Sequence, residues 1–258
     1  MGARLSGGRS RTGRAARVFF TLLGAGCVLC ALLAGLILRG ALVINTPSRD
    51  RYPVWGVDVS HYQGEIDWNA LREQGVRFAY IKATEGSSHV DGRFLENARG
   101  AREAGVPAGA YHFFSFESPG STQAQNLLAA LEGVSMQLPC AVDVEFYGAF
   151  FENPPEVATT RAQLRNLLDA IEAATGARPL LYATNRSYRM YLKGAFDDYP
   201  LWIRDVYLWP WLTAPGRDWT LWQYSDKGRL EGYAGEEEHI DLNVFAGDEA
   251  AFDRFCTG

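Results

Sequence analysis

Two hydrophobic patterns divide the chain. Residues 18–38 form an unbroken run of 21 positions without a charge, and after Arg39 residues 40–44 are apolar again, apart from Gly40. As a helix rising about 1.5 Å per residue, such a run reaches roughly the 30 Å hydrocarbon thickness of a bilayer. From residue 53 onward the apolar runs become short. They fall at 54–60, 77–83, 107–114, 140–146, 178–184, 201–204, 219–225 and 240–245, each rich in Val, Ile, Ala or aromatic residues as buried strands are. Helix-period segments separate the early runs. Asp67 is placed to cap a helix over 68–74 that Gly75 ends; 93–103 stops before Gly105; 122–131 follows Pro119-Gly120-Ser121; and 155–174 stops at Gly176. After residue 184 the helices shorten and the strands crowd together. Alternating strands and helices predict a parallel sheet, and eight strands in about 200 residues predict a small β/α barrel with a helix-poor last third.

Charge sharpens this division. Residues 1–52 carry eight Arg and one acid, Asp50, a net +7; the whole chain carries −5, so the remainder carries −12. An acidic folded part argues against nucleic-acid binding, and 47% hydrophobic residues exclude a disordered chain. Five Arg precede the apolar run (Arg4, Arg9, Arg11, Arg14 and Arg17), so the positive-inside rule keeps 1–17 in the cytoplasm and places the rest outside. The apolar core of a cleaved signal peptide is usually about 7–15 residues, shorter than this run. The expected organisation is therefore a basic cytoplasmic flank (1–17), a transmembrane signal anchor (18–44), a short polar linker (45–52) and a folded domain (53–258). The chain is then a single-pass cell-membrane protein with its domain extracellular, or a secreted one if the segment is cleaved. Cys27 and Cys30 lie in the apolar run. Cys140 and Cys256 lie in the outer domain, where a disulfide is permitted, although two unpaired thiols are the preferred reading.

Candidate chemistry sits at strand ends. In Ala141-Val142-Asp143-Val144-Glu145-Phe146, Asp143 and Glu145 are two residues apart and so face the same side, about 6.5–7 Å apart. Val57-Asp58-Val59-Ser60 and Ile240-Asp241-Leu242-Asn243 repeat the theme on the first and last strands, which a closed barrel makes neighbours. Four carboxylates at one mouth suit glycoside hydrolysis, in which one carboxyl donates a proton while another stays ionised. Tyr62, Tyr111, Phe113, Tyr182, Trp202, Trp222 and Tyr224 lie near strand ends and could form sugar-stacking walls, with Gln223 between two of them. His61 and His112 are assigned structural or substrate-contact roles, Glu236–Glu238 a solvated loop, and 209–215 a loop around an aromatic wedge.

The segments GVDVSHYQGEIDW (56–68), FAYIKATEG (78–86), GAYHFF (109–114), AVDVEF (141–146), LLYAT (180–184), PLWIR (200–204), WTLWQYS (219–225) and HIDLNVF (239–245) resemble, in order and spacing, the family 25 glycoside hydrolases. These are lysozyme-type N-acetylmuramidases. The resemblance spans about 53–258. It implies a flattened TIM-like barrel of (β/α)5(β)3 type and cleavage of the β-1,4 bond between N-acetylmuramic acid and N-acetylglucosamine in peptidoglycan. It places the general acid at Glu145, its neighbouring carboxylate at Asp143, and the other acidic cleft positions at Asp58 and Asp241. His89 departs from the family's usual hydroxyl or aromatic residue. The reading needs no metal or cofactor, and it takes glycan strands as substrate with a monomeric catalytic domain. Its rivals are a non-catalytic peptidoglycan-binding protein of the same fold, a chitin-type glycosidase, and a metal-dependent deacetylase. Four scattered His argue against the last.

Overall fold

The computed structural model describes residues 11–39 and 42–257, so the first ten positions of the expected basic flank lie outside the described residues. The chain forms two compact units, Met1–Ile44 and Asn45–Gly258. The first holds helix α1, Arg11–Leu38. Its Gly13–Ile37 stretch is long and apolar enough to cross a membrane, a property signal sequences share, and none of it is buried by protein.

The second unit is a closed barrel of eight strands: β1 (Trp55–Val59), β2 (Phe78–Glu85), β3 (Ala108–Phe113), β4 (Ala141–Val144), β5 (Leu180–Thr184), β6 (Leu201–Arg204), β7 (Leu221–Gly228) and β8 (Ile240–Phe245). All eight expected runs form strands. The first six are largely buried on both faces, which is why their sequences read as continuous apolar runs rather than alternating ones. Six neighbouring pairs are parallel, from β1–β2 through β6–β7. β8 closes the barrel by running antiparallel to both β7 and β1.

Helices follow the first four strands: α2 (Trp68–Glu73), α3 (Phe94–Glu103), α4 (Gly120–Ala130) and α5 (Val157–Thr175). Asp67 caps α2 as expected, its Oδ1 accepting from the backbone N–H groups of Asn69 and Ala70 at 3.0 and 3.1 Å. Gly176, at φ 74°, supplies the left-handed turn that ends α5. Between β5 and β6 only short helical turns appear, Asn185–Ser187 and Tyr188–Leu192.

Two apolar layers result. Val57, Val59, Ile81, Val142, Val144, Leu181 and Ile203 face outward to meet helix residues such as Leu71, Leu127, Leu164 and Leu168. Phe78, Tyr80, Ala141, Leu180, Leu221 and Phe245 fill the interior. The C-terminal helix α6 (Glu249–Thr257) plugs the lower end, with Phe252 5.5 Å from Phe78 and 5.3 Å from Phe245 between ring centroids. Gly109 lacks a side chain because a Cβ there would collide with the Tyr80 ring. The upper end therefore remains for polar residues. Cys140 is buried and Cys256 half-buried, and both are free thiols. Burial raises the pKa of each to about 11.

The second unit also takes in residues 45–52. Asn45 is buried and donates its Nδ2 to the carbonyls of Asp205 and Tyr224, both at 3.1 Å. The Arg49 guanidinium lies 3.8 Å from the Trp55 ring centroid, and Tyr52 packs on Trp219.

Candidate active site

Strand alternation decides which side chains reach the upper cavity. On β4, Val142 and Val144 face the helices, so Asp143 and the following Glu145 point inward. On β1 the same parity sends Asp58 inward between Val57 and Val59. Asp241 reaches this rim for a different reason. It is the second residue of β8, and reversal of that strand puts its beginning beside the ends of the others. Register pairs Asp241 directly with Asp58. Asp58, Asp143, Glu145 and Asp241 thus line one cleft of about 330 Å³.

Its walls are aromatic. Register places Phe113, Asp143, Tyr182 and Trp202 in one row across β3 to β6. Tyr111 joins them, and Tyr62 stands exposed at the mouth. Gln223 also lines the cleft. Its neighbours Trp222 and Tyr224 do not, because adjacent strand residues face opposite ways; their rings pack together outside the barrel at 5.9 Å. The expected aromatic wall is thereby corrected at these two positions.

The two carboxyl pairs are held differently. Asp58 accepts from Gln223 Nε2 at 2.9 and 3.1 Å, and from Asn243 Nδ2 at 2.7 Å. Gln223 in turn accepts from the Tyr182 hydroxyl (2.9 Å) and Asn243 from Trp202 Nε1 (2.8 Å). Burial raises the Asp58 pKa, while hydrogen bonds from Asp241, Asn243 and Gln223 oppose the rise. Burial also pushes Asp241 well above the carboxylate range, and the negative charge of Asp58 adds to the effect.

Asp143 has no such bracing. Its Oδ1 is buried without a hydrogen-bond partner among the described residues. Burial, then the charge of Glu145, push its pKa well above the ordinary value, with Lys82 opposing. Burial raises Glu145 too, opposed first by Arg204. The cleft's cations are themselves tethered, Lys82 Nζ to Glu85 (2.7 Å) and Arg204 to Asp226 (2.7 Å). Past Glu145 the groove continues into a hollow of about 440 Å³ lined by Phe151, Arg186 and Arg204. A larger hollow of about 630 Å³, lined by Leu138, Cys140 and Phe255, lies at the opposite end of the barrel. It holds one carboxylate, Glu132, so the chemistry belongs to the upper cleft.

Asn243, Lys82, Arg204 and Asp226 were not singled out in the sequence. Parity could have found Asn243, two residues from Asp241 on the same face. His112 is fully buried between Thr84 Oγ1 (2.8 Å) and Gln123 Oε1 (2.9 Å), and burial lowers its pKa to about 4. It is a neutral structural residue. His61 is half-exposed and its Nδ1 meets Asp91 at 2.8 Å.

A family model described as Glycosyl hydrolases family 25 matches residues 57–233. Uncharacterized protein YegX of Escherichia coli O157:H7 is 34% identical over 215 residues, 80% of this chain and 75% of that protein. Lysozyme M1 of Streptomyces globisporus is 33% identical over 219 residues, 78% of this chain and 70% of that one. Among solved structures, a family 25 glycosyl hydrolase from Bacillus anthracis superposes with a TM-score of 0.76 at 42% identity. That superposition covers 82% of this chain and 97% of that one.

Proposed function

The chain belongs to glycosyl hydrolases family 25 and is a glycosidase of the muramidase kind, and from that premise we propose that it cleaves the β-1,4 bond between N-acetylmuramic acid and N-acetylglucosamine in peptidoglycan, with Glu145 as general acid. The observation that carries this reading is the contrast within the cleft: Asp58 is fully hydrogen-bonded, whereas Asp143 presents a buried, unpartnered Oδ1 beside Glu145. An unpartnered buried carboxyl oxygen costs about 1–3 kcal/mol until a donor arrives. The N–H of the substrate's 2-acetamido group is such a donor.

Burial makes both Asp143 and Glu145 hard to ionise, and the charge of Glu145 adds to the effect on Asp143. A hydrogen bond from the acetamido N–H favours the Asp143 carboxylate and leaves the pair's proton on Glu145. Glu145 then gives that proton to the glycosidic oxygen as the C1–O bond breaks. The acetamido carbonyl oxygen forms a bond to C1, and ionised Asp143 stabilises the positive charge on the resulting ring. Water next adds to C1 from the opposite face as the bond from C1 to the acetamido oxygen breaks and restores the acetamido group, the water's proton passing to Glu145, so the configuration is retained. This is the substrate-assisted variant of glycoside hydrolysis. Asp58 and Asp241 hold the floor of the cleft, while Tyr62, Tyr111, Phe113, Tyr182 and Trp202 bound the sugar rings.

Helix α1 serves as an anchor, with 1–17 cytoplasmic, 18–44 spanning, 45–52 linking and 53–258 catalytic outside the membrane. The support is its length and apolar character behind a basic flank. Mass spectrometry of digested peptidoglycan tests the activity: muramic acid at the new reducing end is expected, and glucosamine there, or an anhydro product, rejects it. Proton NMR of the first-formed anomer tests the route, since an initial α product rules out retention.

A further inference from the structure

Of the eight large apolar side chains that the second unit leaves exposed among the described residues, four fall within six positions: Tyr207, Leu208, Trp211 and Leu212. They are not on a floppy loop. The Asp205 carboxylate, itself buried, accepts from the backbone N–H groups of Tyr207 (3.1 Å) and Leu208 (2.7 Å) and from the Thr213 hydroxyl. Pro210 starts a helical turn, Pro210–Thr213. Beneath it Trp209 packs on Trp222 at 5.1 Å and stacks with Trp211 at 4.7 Å. This scaffold holds two Leu, a Tyr and a Trp outward into water, an arrangement that soluble surfaces avoid.

The base of the same segment is where Asn45 docks, on the carbonyls of Asp205 and Tyr224. Asn45 is six residues beyond Arg39, which follows the end of α1. Whatever conformation those residues take, they span no more than about 22 Å. If α1 is an anchor, Asn45 and the apolar tip beside it are tied close to a bilayer. Trp and Tyr favour the membrane–water boundary, and Leu favours the acyl region below it. Next to Trp211 lies a hollow bounded by Arg51 and Arg217, with Asp218 at its edge. Two guanidiniums beside an apolar tip suit phosphodiester headgroups.

We propose that the 207–212 tip is a second membrane contact, which inserts into the outer lipid surface and seats the barrel against it. The inference rests on the anchor reading of α1. It goes beyond that reading by giving the catalytic unit a fixed face toward the bilayer rather than a free swing on a tether.

The seven Trp of the chain all lie between Trp55 and Trp222, none of them in α1, and Trp211 is the one that is exposed. Trp emission therefore reports on the barrel alone. The full chain is reconstituted into vesicles of phosphatidylglycerol and phosphatidylethanolamine, with either plain acyl chains or chains brominated near the headgroup. Flotation checks insertion. The expected result is that brominated lipid removes about one seventh of the emission, the share of one Trp among seven. Trp211→Phe abolishes this quenching. Leu208→Ser/Leu212→Ser, which keeps the reporter and removes the aliphatic contacts, reduces it about twofold or more. A floating chain with equal emission in both vesicles overturns the proposal and leaves the anchor standing. A chain that does not float overturns both. Emission that shifts with protein concentration in detergent and loses that shift in Trp211→Phe overturns it in favour of a second copy.

Discussion

Two carboxyl pairs share the cleft, and they are built on opposite principles. Asp58 and Asp241 face each other across the β1–β8 seam, where Gln223 and Asn243 satisfy the Asp58 oxygens and are in turn fixed by Tyr182 and Trp202. Asp143 and Glu145 lie on one strand end, the charge of Glu145 presses on Asp143, and Asp143 Oδ1 has no partner among the described residues. The first pair is complete without substrate. In the proposed mechanism the second is completed by it. A buried acid that the protein has already satisfied is scaffold, and one it has left short of a partner is where binding energy can be turned into chemistry.

Substitutions can break this comparison. The largest effect belongs to Glu145→Gln, which removes the proton donor while preserving shape; turnover on purified cell walls should fall by about 10³-fold or more, with the circular-dichroism spectrum unchanged. Wild-type activity in this variant would sink the assignment. Asp143→Asn should lower turnover by about 10²-fold or more through loss of charge stabilisation.

That same Asp143→Asn variant should be more stable. The folded pKa of Asp143 is raised, so its contribution to stability is full below the ordinary Asp value and is lost as pH climbs toward the raised one. Asn never carries that penalty. A gain of about 0.5–2 kcal/mol at pH 7 is expected, or about 1–8 °C in Tm, shrinking toward zero near pH 3. An unchanged or lowered Tm at pH 7 would remove the claim that Asp143 is a strained acid. On the braced pair the sign reverses. Asn243→Leu strands Trp202 Nε1 and takes a donor from Asp58, and should cost about 1–3 kcal/mol, with a smaller loss of turnover than Asp143→Asn causes. Finest of all is the pH profile. Asp143 and Glu145 are both raised in the free protein, so the alkaline limb of kcat/KM should lie above the ordinary carboxyl range of about 4–5. A limb inside that range would remove the claim that burial holds the second pair protonated.

Strand positions were legible because burial on both faces leaves an apolar run whatever the topology. Direction was not, since hydrophobicity is the same read either way. The reversal of β8 did leave a trace: Asp143 is third of four residues in β4 and Asp58 fourth of five in β1, whereas Asp241 is second of six in β8. A carboxylate at the beginning of a strand reaches the common rim only if that strand is turned around. Tyr224 was misplaced because nearness to a strand end was weighed without parity; Gln223 beside it has the parity that faces the cleft. The bracing by Gln223 and Asn243 was invisible because it joins residues 165 and 185 positions from Asp58. The outward tip at 207–212 was hidden for another reason, since a wedge of Trp and Leu reads as core until Asp205 is seen holding it open.

The closing seam also sets a time. β1 and β8 are the first and last barrel strands, and between them they hold Asp58, Asp241 and Asn243. A growing chain has made Asp143 and Glu145 long before it has made their cleft. Until residues 240–245 arrive, Asp58 has no Asn243 to hold it and the groove has no floor. Closure of the barrel and completion of the cleft are then one event, and a partly closed barrel has no finished site.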